Sequence, residues 1–403
     1  MRRATFIFWL VLAGAGFGPV LRAEAASGTA AVVGSASATM TPEAAIARLF
    51  EQPLNAALFS ADFLAAIPMA EIERLVAEMR AAGGDFTGVR GTAPDLTIDL
   101  ERSTVPARIV LDAEGRVAGL WLGAPAAKGG LDALAAEIAA LPGRTSLLVT
   151  KGGAVEMAHE ADTPLAVGSA FKLAVLAALD TAVTEGRLAW ADVVAIDPAQ
   201  RSLPSGILQD WPDASPVTIA TLANLMISVS DNTATDLLIH RLGREAVEAQ
   251  SPRNTPFLTT REAFVLKADE TLSDQWASGD AKARQALLKL IEGNRLPAVE
   301  ALDAVRPAVE WFMSATELCG LLERTADLPP FRIDPGPARG GPWTAVAYKG
   351  GSEPGVLNFS SRVVDADGAA HCVVVSWNDD KPLDEGRLLT LYRGLLAALA
   401  ERG

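Results

Sequence analysis

Gly168-Ser169-Ala170-Phe171-Lys172-Leu173-Ala174-Val175-Leu176-Ala177-Ala178-Leu179 decides how this chain is read. Between Ser169 and Leu179 the only charge is Lys172. A helix that is apolar all round is buried on every side, and a lone lysine inside one needs a reason. Lys172 follows Ser169 by three residues, so both side chains project from the same helix face. Burial disfavours the ammonium form and lowers the lysine pKa, which turns a lysine into a base for a neighbouring hydroxyl. Ser-x-x-Lys by itself turns up about once by chance in a chain of this length. The apolar surroundings set this one apart.

Working outward, an apolar helix from Val217 to Val229 ends at Ser230-Asp231-Asn232, and a further helix starts at Thr233. Such a tight inter-helix loop exposes a hydroxyl and a carboxamide, although Ser, Asp and Asn are also ordinary capping residues. Lys349-Gly350-Gly351-Ser352 sits at the end of one strand and before another, Val356 to Val364. Glycines there suit close backbone approach, and Lys349 supplies positive charge for a carboxylate. The chain holds its own control: Lys151-Gly152-Gly153 is the same triplet and reads as a hairpin turn only.

The rest of the chain supplies an α+β frame. Thr41-Pro42-Glu43 reads as a helix start, and a helix from Met69 to Ala82 stops at Gly83-Gly84. The period then changes to two: Leu96, Ile98 and Leu100 alternate with polar residues, and Ala107–Leu111 and Val117–Leu122 form a hairpin. Gly123-Ala124-Pro125-Ala126-Ala127 marks a boundary. Beyond it come a helix (Leu131 to Ala140), a hairpin (Thr145 to Thr150 and Val155 to His159), and helical segments from Phe171 to Leu322. Strands return at Thr344–Lys349, Val356–Val364 and Ala370–Trp377, closed by a helix from Leu383 to Ala400. That order lets the two ends share one antiparallel sheet with a helical region inserted between them.

Composition narrows the partners. With 35 Lys+Arg against 49 Asp+Glu the chain of 403 residues carries a net charge of −14, which repels nucleic acid. Arg2 and Arg3 precede an apolar run, Ala4 to Leu21, and Ala23-Glu24-Ala25 has the form of a signal-peptidase site. The glycines and proline inside that run argue against a permanent anchor, so a periplasmic or secreted protein without a stable membrane anchor after cleavage is expected. Cys319 and Cys372 either pair in such a compartment or are simply buried thiols. His159, His240 and His371 lie far apart, and neither a metal nor a cofactor is expected.

Ser-x-x-Lys, Ser-Asp-Asn and Lys-x-Gly in that order are the signature set of class A β-lactamases and penicillin-binding proteins. From Leu131 to its end the chain resembles that superfamily, with Pro204-Ser205-Gly206-Ile207-Leu208 and Met226-Ile227-Ser228-Val229 in agreement. The resemblance implies that Ser169 is the acylated nucleophile, Lys172 its base, Ser230 the proton relay and Lys349 the carboxylate site that supports Ser230. It implies that Asn232, Gly351 and Ser352 bind substrate, with the amides of Ser169 and Ser352 as oxyanion hole. Two departures stand out. Gly350 replaces the usual threonine, and the Ser352 hydroxyl is the candidate substitute. The long loop that carries the deacylating glutamate in class A enzymes finds no room, because Asn254 to Glu262 resembles the segment that follows it. Glu245 and Glu248 read as solvated charges, and Glu262 as the least poor candidate for a deacylation base.

With its small α+β unit in front, the chain resembles more closely the two-domain serine hydrolases of the clavulanic-acid gene-cluster type, whose first domain is steroid-isomerase-like. That group is associated with weak esterase or cephalosporin-directed activity. The expected division is a signal peptide at 1–25, a spacer at 26–40, a steroid-isomerase-like domain at 41–125 and a β-lactamase-like catalytic domain at 128–403. The expected function is a serine hydrolase acting through an acyl-enzyme on a small-molecule β-lactam, ester or related amide. The alternatives are a D,D-peptidase on peptidoglycan, or a β-lactam sensor that acylates without turnover.

Overall fold

The computed structural model describes residues 40–402; the expected signal peptide and nearly all of the spacer lie outside them. Among the described residues no helix is long and apolar enough to cross a membrane. The chain splits into two compact units, with the division at Lys128/Gly129.

In the first unit Thr41 accepts the Ala44 amide at 3.2 Å and Pro42 opens α1 (Pro42–Leu49). α2 (Ala61–Ala66) and α3 (Met69–Gly83) follow, and α3 ends at Gly84 with φ +85°. The chain then runs as an antiparallel meander, β1 (Phe86–Thr92), β2 (Asp95–Leu100), β3 (Ser103–Leu111) and β4 (Val117–Leu122). Leu96, Ile98 and Leu100 point into a core shared with Val105, Ile109, Ile46 and Leu49. β1 is absent from the sequence expectation for a physical reason. Gly88, Arg90 and Gly91 break any apolar alternation, and only its pairing with β2 makes this mostly exposed segment a strand. β5 (Ala126–Ala127) pairs with the start of β3, which carries the unit past the expected end at Pro125.

The second unit begins with α4 (Leu131–Ala139), β6 (Arg144–Lys151), β7 (Ala154–His159) and β8 (Leu165–Ala166). A 3₁₀ turn (Gly168–Phe171) leads into α5 (Lys172–Thr184), buried on nearly every side. β9 (Val193–Ala195) and β10 (Pro216–Thr218) pair with each other before α6 (Ile219–Ser228), α7 (Asn232–Leu242) and α8 (Arg244–Glu248). α6 starts two residues later than expected because Thr218 caps it, accepting the Thr221 amide at 3.1 Å.

α9 (Thr260–Lys267), α10 (Glu270–Ser278) and α11 (Ala281–Ile291) precede β11 (Phe312–Met313) and α12 (Ala315–Thr325). Last come β12 (Ala345–Glu353), β13 (Val356–Val364), β14 (Ala370–Asn378) and α13 (Glu385–Ala400). The main sheet runs β12-β13-β14-β6-β7, antiparallel throughout. Both ends of the unit therefore build one sheet. Successive strand residues face opposite sides: Cys372 and Val374 join the core of the helical region, and the Tyr392 hydroxyl of α13 donates to the Val373 carbonyl at 2.9 Å.

Cys319 of α12 is disulfide-bonded to Cys372 of β14, which settles the pairing left open by the sequence. A closed loop spanning 53 residues is worth about 4 kcal/mol in the chain-entropy account. β11 pairs with β8, Phe312 opposite Ala166, so the chain returns beside Ser169 only after three further helices. The expectation that Asn254 to Glu262 is the segment following the class A loop, which left that loop no room after Ser230, is corrected by this order. Asn254–Glu262 leads into α9 and α10, and residues 249–311 form a long excursion that ends next to the nucleophile's strand.

Candidate active site

Three backbone elements meet around Ser169: the 3₁₀ turn before α5, the α6–α7 loop and the edge strand β12. The closeness of β12 to the turn is a glycine effect. A Cβ on Gly351 would lie 2.0 Å from the Val167 carbonyl oxygen and 2.6 Å from the Ser169 amide nitrogen. One on Gly168, whose φ is +47°, would lie 3.1 Å from the Ser352 amide nitrogen. Both positions must be free of side chains for the strand to reach the turn, and the Ser169 and Ser352 amides thereby come to one place.

Lys172 is fully buried. Its Nζ lies 3.2 Å from Ser169 Oγ and 2.9 Å from Ser230 Oγ, and it donates to the Ser230 carbonyl and Asn232 Oδ1, both at 2.6 Å. Burial, reinforced by the charge of Lys349, holds its pKa well below the ordinary lysine value, against the opposing pull of Asp236, Asp231 and Glu353. Lys349 Nζ lies on the other side of Ser230 Oγ at 3.1 Å and donates to the Gly350 carbonyl at 2.6 Å. Desolvation brings its pKa down to about 7. One hydroxyl, Ser230, thus bridges two buried amines, and the first of these touches Ser169.

The α6–α7 loop is built to present that hydroxyl. Ser230 adopts φ +58°, a left-handed conformation uncommon outside glycine. Asp231 holds the loop: its carboxylate accepts the Ile207 and Leu208 amides at 2.7 and 2.9 Å and caps α7 through the Ala234 amide at 2.8 Å. Ser205 Oγ donates to the Ser230 carbonyl at 2.7 Å, and Asn232 Nδ2 to the Leu203 carbonyl at 3.1 Å. All of these bonds except the local cap at Ala234 fix the loop from a segment distant in sequence.

The structure brings Ser169, Lys172, Ser230, Asn232, Lys349, Gly351 and the Ser352 backbone together. It separates out three side chains. The Ser352 side chain is exposed and bonded to Glu385, on the strand face that it shares with position 350 and opposite Lys349. A side chain at position 350 is excluded by Tyr348, whose hydroxyl would lie 2.3 Å from a Cβ there. Glu262 is no base: it closes a capping box with Thr259 and pairs with Arg244 at 2.7 Å. Glu248 likewise is not a plain solvated charge, since it accepts the Phe257 amide at 2.9 Å.

Sequence reasoning passed over a buried charge cluster on the same face of β12. Lys267 of α9 pairs with Glu310, which precedes β11, and lies 3.3 Å from Glu353. The spacing Lys349, Gly351, Glu353 on one strand was the available signal, because every second residue shares a face.

The chain matches the family model described as the β-lactamase enzyme family over residues 131–283. No curated protein matches it. Among solved structures it is similar to the β-lactamase of Sphaerobacter thermophilus, at 20% identity and a TM-score of 0.50, over 68% of this chain and 96% of that one. It is also similar to the β-lactamase of Desulfarculus baarsii, at 20% identity and a TM-score of 0.47, over 67% of this chain and 96% of that one. The second unit therefore has a β-lactamase-like α+β fold, and within it lies the match to the β-lactamase enzyme family.

Proposed function

We propose that the second unit is a serine hydrolase that forms an acyl-enzyme on Ser169 with a β-lactam, ester or related amide. The observation that carries this reading is the hydroxyl–amine–hydroxyl–amine chain Ser169, Lys172, Ser230, Lys349, every link between 2.9 and 3.2 Å. The neutral Lys172 amine takes the Ser169 proton as Oγ attacks the carbonyl carbon. Ser230 passes a proton to the leaving nitrogen or oxygen. Lys349 orients Ser230 and attracts a substrate carboxylate. The Ser169 and Ser352 amides receive the oxyanion, at about 3 kcal/mol per donor, and the remaining Asn232 Nδ2 hydrogen holds the substrate's acyl amide.

A disulfide joining α12 to the sheet supports an exported protein in an oxidising compartment, as the leader sequence suggests. Helices followed by an antiparallel meander support a steroid-isomerase-like reading of the first unit, and with it kinship to the two-domain hydrolases of clavulanic-acid clusters.

The test is intact-mass spectrometry of the mature protein with nitrocefin. A covalent adduct is expected on the parent and none on Ser169→Ala, whose thermal stability should match the parent because the lost hydroxyl supports no structural bond beyond Lys172. An equal adduct on both proteins sinks the assignment.

A further inference from the structure

We infer that Glu353 is a further catalytic residue of this site, the carboxylate that activates water for release of the acyl group from Ser169. The inference rests on the reading that Ser169 is acylated. Position comes first. Glu353 shares the β12 face of Lys349 and Gly351, and Gly351 abuts the Ser169 amide. Two strand residues advance about 6.6 Å. The proposed role requires a single water between this carboxylate and the acyl carbon, since a base reaches its target through one water and an attacking oxygen sits about 3 Å from carbon.

Anchoring comes second. Lys267 Nζ, in a side chain only 6% exposed, holds Glu353 Oε2 at 3.3 Å, while the Glu353 side chain is 22% exposed. Glu310 clamps Lys267 from behind in a side chain 1% exposed. The two flanking carboxylates keep the Lys267 ammonium charged in spite of burial, raising its pKa. Of the three groups only Glu353 has appreciable access to solvent, and its charge weakly opposes the burial that lowers the Lys172 pKa. Burying charged groups is expensive unless they are paired, and a strand that needed only to pack would carry an apolar residue here. Pro354-Gly355, with Gly355 at φ +77°, turns the chain directly after Glu353 and fixes its place at the strand end.

In the step proposed, Glu353 takes one proton from water as the water oxygen bonds to the acyl carbon. The carbonyl pair moves onto the oxyanion held by the Ser169 and Ser352 amides. Collapse breaks the bond between carbon and Ser169 Oγ, and the proton held by Glu353 returns to that oxygen through the Lys172 amine. One water is consumed and the acid is released.

The experiment follows the nitrocefin adduct by rapid-quench intact-mass spectrometry on the parent, Glu353→Gln and Glu353→Asp. For Glu353→Gln the expected result is an adduct that forms at the parental rate and lives at least 100-fold longer, the usual scale for losing a general base. Glu353→Asp, which keeps the base at a shorter reach, should fall in between. An adduct lifetime within threefold of the parent in Glu353→Gln overturns the inference. So does a loss of acylation in step with deacylation, which would make Glu353 a positioning group. A parent that never acylates brings down the hydrolase reading itself, and Ser169→Ala tells that failure apart.

Discussion

Lys151-Gly152-Gly153 and Lys349-Gly350-Gly351 are identical triplets in the same sheet, and they do different work. In the first, both glycines have positive φ, +56° and +82°, and close a two-residue hairpin between β6 and β7. A side chain at either position would meet nothing within 4 Å. In the second, neither glycine has positive φ. Gly350 and Gly351 lie within β12, and what they lack is room: Tyr348 fills the space at one and the Ser169 turn the space at the other. Glycine serves backbone conformation in the turn and close approach in the strand. Lys151 ends a strand at a solvent-facing turn, whereas Lys349 is buried against Ser230. A motif of this length acquires meaning from what its neighbours in space leave open.

The sharpest way to break the contrast is Gly351→Ala. The added methyl would overlap the Val167 carbonyl and crowd the Ser169 amide, so β12 must move away from the turn and take the Ser352 amide with it. Losing one oxyanion donor lowers kcat by about 10²–10³-fold. A fall of that size is expected in the rate of adduct formation, with the far-ultraviolet circular dichroism unchanged. Parental acylation would show that Ser352 is not where the oxyanion binds.

A smaller effect separates the two lysines by pH. Lys349, with its pKa brought down to about 7 by burial, is charged below that pH and neutral above it. For a β-lactam bearing a carboxylate, kcat/KM should decline about tenfold per pH unit well above 7, because the free enzyme loses the cation that attracts the substrate. A neutral p-nitrophenyl ester needs no such cation and should lack that alkaline limb. Coincident profiles for the two substrates remove Lys349 from carboxylate recognition. Lys151→Ala should alter neither profile.

What the sequence made legible follows from how local each signal is. An all-apolar helix with one lysine announces its burial in twelve consecutive residues, and α5 with Lys172 came out as expected. The shared sheet was legible from strand patterns at both ends of the unit. Glu353 and Lys267 were not, because an ion pair between a strand end and a helix leaves no mark at either place until the fold joins them. Glu262 misled for the opposite reason. Thr259 and Glu262 satisfy a capping box locally, so the residue already had an assignment, and its acidity said nothing about reach to Ser169. The cysteine pairing likewise depends on α12 lying across β14, which neither segment encodes alone.

The smallest expected effect tests the turn. Gly153→Ala places an L-residue at φ +82°, where sterics disfavour it by roughly 1–2 kcal/mol. Part of this is offset, because alanine restricts the unfolded chain and returns about 0.4–1 kcal/mol. Nothing crowds the new methyl, so the net loss should be about 0.5–1 kcal/mol. For a unit of this size that corresponds to a fall in Tm of roughly 1–4 °C. Acylation of Ser169 should stay within twofold of the parent, since β7 is the far edge of the sheet from β12. A loss of activity beyond tenfold with so small a change in Tm would mean that the two triplets are coupled across the sheet, and the contrast between turn and site would have to be redrawn.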